Sequence, residues 1–181
     1  GIPMPNRKTD TNNNGDFSTD FIGANWGYPE ASDEERARMR IAHREYTEGL
    51  LWTLAHHPRV PESVREEVGR FGLSRDEFAD NDHWPYQLYV REARRMIADV
   101  VMTERHCLGQ EVVTDPIGLA AYNMDSHHVQ RYVDDQGHVR NEGDIQVAPR
   151  TPYGISYRAI IPPRGSITNL LVPCCLSASH I

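Results

Sequence analysis

The run Tyr122-Asn123-Met124-Asp125-Ser126-His127-His128 is the densest set of chemically active side chains in this 181-residue sequence. Imidazole titrates near neutral pH, so His127 or His128 could act as acid or base. Asp125 would then fix the tautomer of the ring and Tyr122 would place a substrate. The same residues could instead bind a metal ion or serve structure alone. Successive strand side chains point to opposite faces, so two adjacent histidines rarely meet one ion, and no metal is expected here. Ser126 lacks the G-x-S-x-G setting of a hydrolase nucleophile.

Other clusters carry weaker signals. Asp10-x-Asn12-x-Asn14-Gly15 opens like a calcium loop, but Phe21 stands where the bidentate carboxylate belongs. A loop rich in Asx turns is the expectation. Arg91, Glu92, Arg94 and Arg95 read as a solvated helix face, or else Arg91 or Arg95 reaches an anionic ligand. Tyr153-Gly154-Ile155-Ser156-Tyr157-Arg158 reads as a turn leading into a core strand with an aromatic edge. His56-His57, His83-Trp84 and His106-Cys107 read as capping or packing residues. The three cysteines form no disulfide framework and no C-x-x-C pair.

Composition narrows the classes. Hydrophobic residues make up 39% and charged residues 25%, which allows a core and argues against wholesale disorder. A net charge of −7 argues against nucleic acid as the partner, because duplex binding runs on clustered cations. No run of 18 apolar residues reads as a membrane span. Cellular location stays open.

The elements that must position these residues follow from spacing. Ser32 with Glu35 three residues on predicts a capped helix, with Met39, Ala42, Tyr46, Leu50 and Leu54 on one face, ending at His57-Pro58. A second helix is expected from about Pro61 to Phe71, closed by Gly72, with a further turn after Ser74. A third is expected from about Gln87 to Ile97. From Glu111 the apolar stretches shorten and read as strands: Val112-Val113, 117–122, 129–133, 145–147, 157–161 and 170–172. Asp134-Asp135-Gln136-Gly137 is a hairpin signal. The fold class expected is α+β, with a helical first half and a mainly β second half. At the end, 167–172 reads as a buried strand followed by small residues, the texture of a turn that approaches a phosphate.

Residues 8–26, 84–104, 122–129 and 153–181 together resemble the bacterial FAD-dependent oxidoreductases often labelled xanthan lyase. The stretches Tyr89-Val90-Arg91-Glu92-Ala93-Arg94-Arg95 and Met124-Asp125-Ser126-His127-His128, in this order, are the most specific. The resemblance implies a Rossmann-type FAD domain that is split, with a substrate domain interrupting it. Residues 1–155 would be the substrate part and 156–181 the returning segment, in which Tyr157, Arg158, Asn169 to Val172 and Ser177 to His180 match the family pattern. No G-x-G-x-x-G spacing occurs. The chain is therefore expected to be the carboxy-terminal portion of a longer enzyme, holding FAD weakly or not at all without the rest of its parent.

The resemblance implies hydride transfer between a small-molecule or carbohydrate substrate and the flavin. His127 or His128 would be the base, Asp125 its orienter and Tyr122 a substrate contact. Arg91, Arg95, Tyr157 and Arg158 would face the substrate, and Ser177, Ser179 and His180 the flavin. Two alternatives stay open. A polysaccharide lyase could use Asn123, His127, Tyr157 and Arg158 for β-elimination, although no helical-toroid repeat appears. A carbohydrate-binding module could stack sugars on Trp26, Trp52 or Trp84, although Trp52, inside the first helix, is expected to pack in a core.

Overall fold

Ser32 fixes the start of the longest element. Its hydroxyl accepts the Glu35 backbone N–H at 3.3 Å, and the Glu35 carboxylate accepts the Ser32 N–H at 2.8 Å. This reciprocal box is worth about 1 kcal/mol. It opens helix α1, Asp33–His56. Asp33, Glu34 and Glu35 crowd the first turn, where the helix dipole favours negative charge.

The computed structural model describes residues 2–11, 17–90, 94–173 and 176–178. These divide into two compact units, one of residues 1–92 with 131–140, the other of residues 93–130 with 141–181. The division expected at 155/156 thus falls inside the second unit.

The first unit opens with the antiparallel pair β1 (Ile2–Met4) and β2 (Lys8–Asp10), joined by a 3-10 turn. Helix α1 follows, then α2, Glu62–Val68. The face of α1 marked by Met39, Ala42, Tyr46, Leu50 and Leu54 is half-buried. Tyr46 organises it: its ring stacks on Phe21 at 4.5 Å and its hydroxyl donates to the Ser18 carbonyl at 2.9 Å. Trp52 does not pack in a core as its helical position suggested. It is 61% exposed and stacks on His56 one turn away. The second helix stops at Gly69 rather than Gly72, because glycine inside a helix costs about 1 kcal/mol and Gly69 comes first.

The hairpin of β5 (His128–Val133) and β6 (Val139–Gly143) has its tip in the first unit and its base in the second. The Asp134 carboxylate caps the tip by accepting backbone N–H bonds from Gln136 and His138 and a guanidinium bond from Arg140 at 2.8 Å. The His138 N–H first, and then Arg140, hold this carboxyl below its ordinary range.

The second unit holds the short helix α3 (Glu104–Cys107) and two short antiparallel strand pairs beyond the hairpin base. Strand β3 (Pro116–Ala120) pairs with β8 (Tyr153–Ser156), and β4 (Met124–Asp125) pairs with β7 (Gln146–Val147). Met102, Met124, Ala159 and Ile160 are its buried apolar residues. Ser156 and Ser177 are 1% exposed beside them. Ser177 ties three segments together. Its N–H donates to the Ala159 carbonyl, its own carbonyl accepts from Met102, and its hydroxyl oxygen accepts from Ala98.

Helices in the first half and short strands in the second make this an α+β chain, in line with the sequence. Four elements, besides the early end of the second helix, differ from expectation. Residues 112–113 form no strand. Residues 87–90 and 94–98 are not helical. Two backbone groups go to distant partners instead: the Tyr89 carbonyl accepts from the Asn25 side chain, and the Ala98 N–H, just past the expected helix, goes to Ser177. Those long-range bonds override a good local propensity. Tyr157–Ala159 forms a 3-10 turn, and the strand lies just before it. Residues 167–172 form no strand: Ile167, Leu170 and Leu171 are 51%, 46% and 57% exposed. In that segment Val172 does bond, to the Ile160 carbonyl at 2.8 Å.

Candidate active site

The histidine pair lies where β4 passes into β5, and residues 143–145 clasp it from the other side. Ser126 donates its N–H to the Ile145 carbonyl at 2.9 Å, and Ile145 returns an N–H to the Ser126 hydroxyl at 3.1 Å. The Asp144 N–H donates to the His127 carbonyl at 3.2 Å. Gly143, at φ +103°, sits so close that an added Cβ would lie 2.5 Å from the His127 carbonyl oxygen. Asp144 follows at φ +61°, a left-handed conformation that aspartate tolerates better than most residues.

Within this clasp the two rings differ. His127 Nδ1 lies 2.8 Å from the His128 carbonyl oxygen. A carbonyl only accepts, so Nδ1 carries the proton and Nε2 is the accepting nitrogen of the neutral ring. The His128 side chain is 12% exposed, with Nε2 at 3.9 Å from an Asp144 carboxylate oxygen. Its Nδ1 is buried and has no hydrogen-bond partner among the described residues.

The carboxylate near the pair is thus that of Asp144. Asp125 is exposed in β4, and its side chain makes no hydrogen bond or ion pair among the described residues. Tyr122 is exposed just before β4, and its carbonyl accepts from the Tyr153 hydroxyl at 3.5 Å. Arg95 is exposed and makes no ion pair among the described residues. Ser177 lies in the core, as described above. Arg91, Ser179 and His180 lie outside the described residues, as do Asn12, Asn14 and Gly15 of the calcium-like loop.

A second constellation gathers on a residue that sequence reading passed over. Asp115, just before β3, accepts a bond from the buried Ser156 hydroxyl at 2.8 Å and from the Arg158 Nε at 3.0 Å and N–H at 3.1 Å. Its own carbonyl accepts from the Tyr157 N–H. This capture turns the chain at Tyr157 and engages the Arg158 guanidinium, while the Tyr157 ring stays 44% exposed. The Arg158 guanidinium first, then the Ser156 hydroxyl and the Arg158 N–H, pull the Asp115 carboxyl from its ordinary 3.8 down to about 2. A lowered folded pKa stabilises the fold above the ordinary carboxylate range and loses that contribution as the pH falls toward about 2. Asp115→Asn is therefore expected to unfold at lower urea than the wild type at neutral pH, with the gap closing between about pH 4 and 2. A gap that stays constant across that range would refute the linkage.

His106 and Cys107 behave as capping and packing residues. The Thr103 N–H donates to His106 Nδ1 at 3.1 Å, and His106 Nε2 lies 3.4 Å from the Glu111 carboxylate. Burial pushes the Cys107 thiol up, the opposite of an activated nucleophile. No group of three or more His, Cys, Asp or Glu side chains among the described residues could hold a metal ion. None of the described helices is long and apolar enough to cross a membrane.

Comparison with known families places these observations. A family model described as FAD dependent oxidoreductase matches residues 2–181. No curated protein and no solved structure matches the chain.

Proposed function

Because the chain belongs to the FAD-dependent oxidoreductase family, we propose that it supplies the substrate-facing part of a flavoenzyme that passes a hydride from a small or sugar-like molecule to FAD. Oxidation of a carbon bearing a hydroxyl or amine needs a base for the departing proton. The observation that carries the reading is the His127 ring, whose Nδ1–H is committed to a backbone carbonyl so that Nε2 is set to accept a proton. Tyr122 and Tyr157, both exposed, are the proposed substrate contacts, and the exposed Arg95 suits an anionic group.

The described residues do not fit a flavin cradle. A dinucleotide site needs a glycine-rich turn between a strand and a helix, with parallel strands behind it. Here the sequence has no G-x-G-x-x-G, and the strand pairs with a defined register are antiparallel. Ser177 already uses its N–H, its carbonyl and its hydroxyl oxygen inside the core. We therefore assign the pyrophosphate cradle to a further part of the parent polypeptide. The exposed apolar side chains Ile167, Leu170 and Leu171 suit a surface which that part covers.

Absorbance spectroscopy tests the reading. Protein made from the surrounding reading frame is expected to show flavin bands that substrate bleaches without oxygen. A rise in ultraviolet absorbance on uronic polysaccharide, with no flavin, would point instead to β-elimination. Glycan binding with neither signal would favour the sugar-binding alternative, for which the exposed Trp26 and Trp52 are the available platforms.

A further inference from the structure

We propose that Asp144 is the positioning residue of the histidine pair: its carboxylate holds His128 with its proton on Nε2, the tautomer opposite to that of His127, whose proton is on Nδ1. The inference rests on the reading of this pair as the proton-handling group, and it names the residue that orders it.

Asp144 touches both histidines by different means. Its backbone N–H donates to the His127 carbonyl at 3.2 Å, and its carboxylate stands 3.9 Å from His128 Nε2. At that separation the carboxylate acts as a nearby charge rather than as a direct hydrogen-bond acceptor. Its location is dictated by the backbone. Gly143 at φ +103° and Asp144 at φ +61° bring the chain flush against residues 127–129, and the Ser126–Ile145 exchange of hydrogen bonds locks the arrangement.

Two effects of the same sign decide the His128 tautomer. A proton on Nδ1 would be a buried donor with no acceptor among the described residues. It would also turn the lone pair of Nε2 toward the Asp144 carboxylate. A proton on Nε2 removes both penalties, since the N–H then points at negative charge. For His127 the accepting carbonyl of His128 fixes the opposite choice.

The consequence is a division of labour. The accepting nitrogen of His128 is enclosed by protein, and the accepting nitrogen of the half-buried His127 ring is Nε2. On the proposed function, His127 is the ring that handles the substrate proton. His128 orients it through its carbonyl, and Asp144 holds His128. Supporting partners of this kind fix ring tautomers in many histidine sites.

Nitrogen-15 NMR of histidine-labelled full chain, at a pH where the rings are neutral, reads the tautomers directly. The wild type is expected to show Nδ1–H at His127 and Nε2–H at His128. Asp144→Gly removes the carboxylate but keeps a residue at ease with positive φ. It is expected to cut the His128 tautomer ratio by about tenfold or more, the scale set by a unit charge about 4 Å away, and to leave His127 unchanged. Asp144→Asn, which keeps the shape and the tolerance of positive φ but removes the charge, is expected to lower the ratio as Asp144→Gly does. A wild-type His128 protonated on Nδ1 overturns the proposal, as does a ratio that a folded Asp144→Gly variant leaves unmoved. Should that variant fail to fold, the wild-type tautomers alone decide. The two readings fail separately. Unchanged flavin reduction in His127→Ala removes the base assignment and leaves the Asp144 role standing. Wrong tautomers remove the Asp144 role and leave the base to its own test.

Discussion

In the polypeptide from the surrounding reading frame, flavin reduction by substrate slows by about 10²–10⁴-fold in His127→Ala, the range that a positioned general base contributes, while flavin occupancy stays at the wild-type level. Rapid mixing without oxygen, following the bleaching of the flavin, measures it. The expectation follows from one hydrogen bond. His127 Nδ1 gives its proton to the His128 carbonyl, so the ring meets a substrate hydroxyl or amine with Nε2 unprotonated. His128→Ala keeps that carbonyl and removes only the neighbouring ring, so its loss should be smaller. Normal rates in both variants would take the base out of this motif altogether.

Gly143→Ala should lower stability more than any other glycine-to-alanine change at positive φ in the second unit. At φ +103° an alanine is strained by about 1–3 kcal/mol. The contact adds to this. The new Cβ would lie 2.5 Å from the His127 carbonyl oxygen and 3.0 Å from the Val129 nitrogen. Both are backbone atoms, so relief requires moving the segment that carries the histidines. Gly165 supplies the control: its φ is +88°, but a Cβ there meets nothing within 4 Å. Urea unfolding of the two variants should therefore show a clearly larger loss at position 143, accompanied by a slower flavin reduction that Gly165→Ala does not share. Equal losses would mean that the close approach contributes nothing and backbone strain alone matters.

What could be read from the sequence was what a few neighbouring residues decide. Ser32 and Glu35 specify their own helix start, and Asp134 through Gly137 specify their own turn, because the bonds involved close within a few residues. Residues 87–97 carry helical spacing, yet the Tyr89 carbonyl and the adjoining Ala98 N–H bond to Asn25 and Ser177, which no local pattern announces. The sequence places Asp125 beside the histidines only along the chain, whereas Asp144, whose carboxylate stands 3.9 Å from His128 Nε2, arrives through the hairpin. The Gly143-Asp144 pair, two residues suited to positive φ at a strand end, was the available clue. Asp115 was missed because it reads as a breaker before Pro116. Ser156 and Arg158 meet Asp115 because the strand ends at Ser156 and the chain turns at Tyr157, which no local spacing announces.

Adding FAD to the purified 181-residue chain, in parallel with the polypeptide from its surrounding reading frame, tests the central claim most directly. The expected outcome is that the longer polypeptide carries one flavin, bleached by substrate at a rate that depends on His127, whereas the 181 residues alone acquire none. Tight flavin binding by the 181 residues alone, or a longer polypeptide that stays colourless, would contradict it.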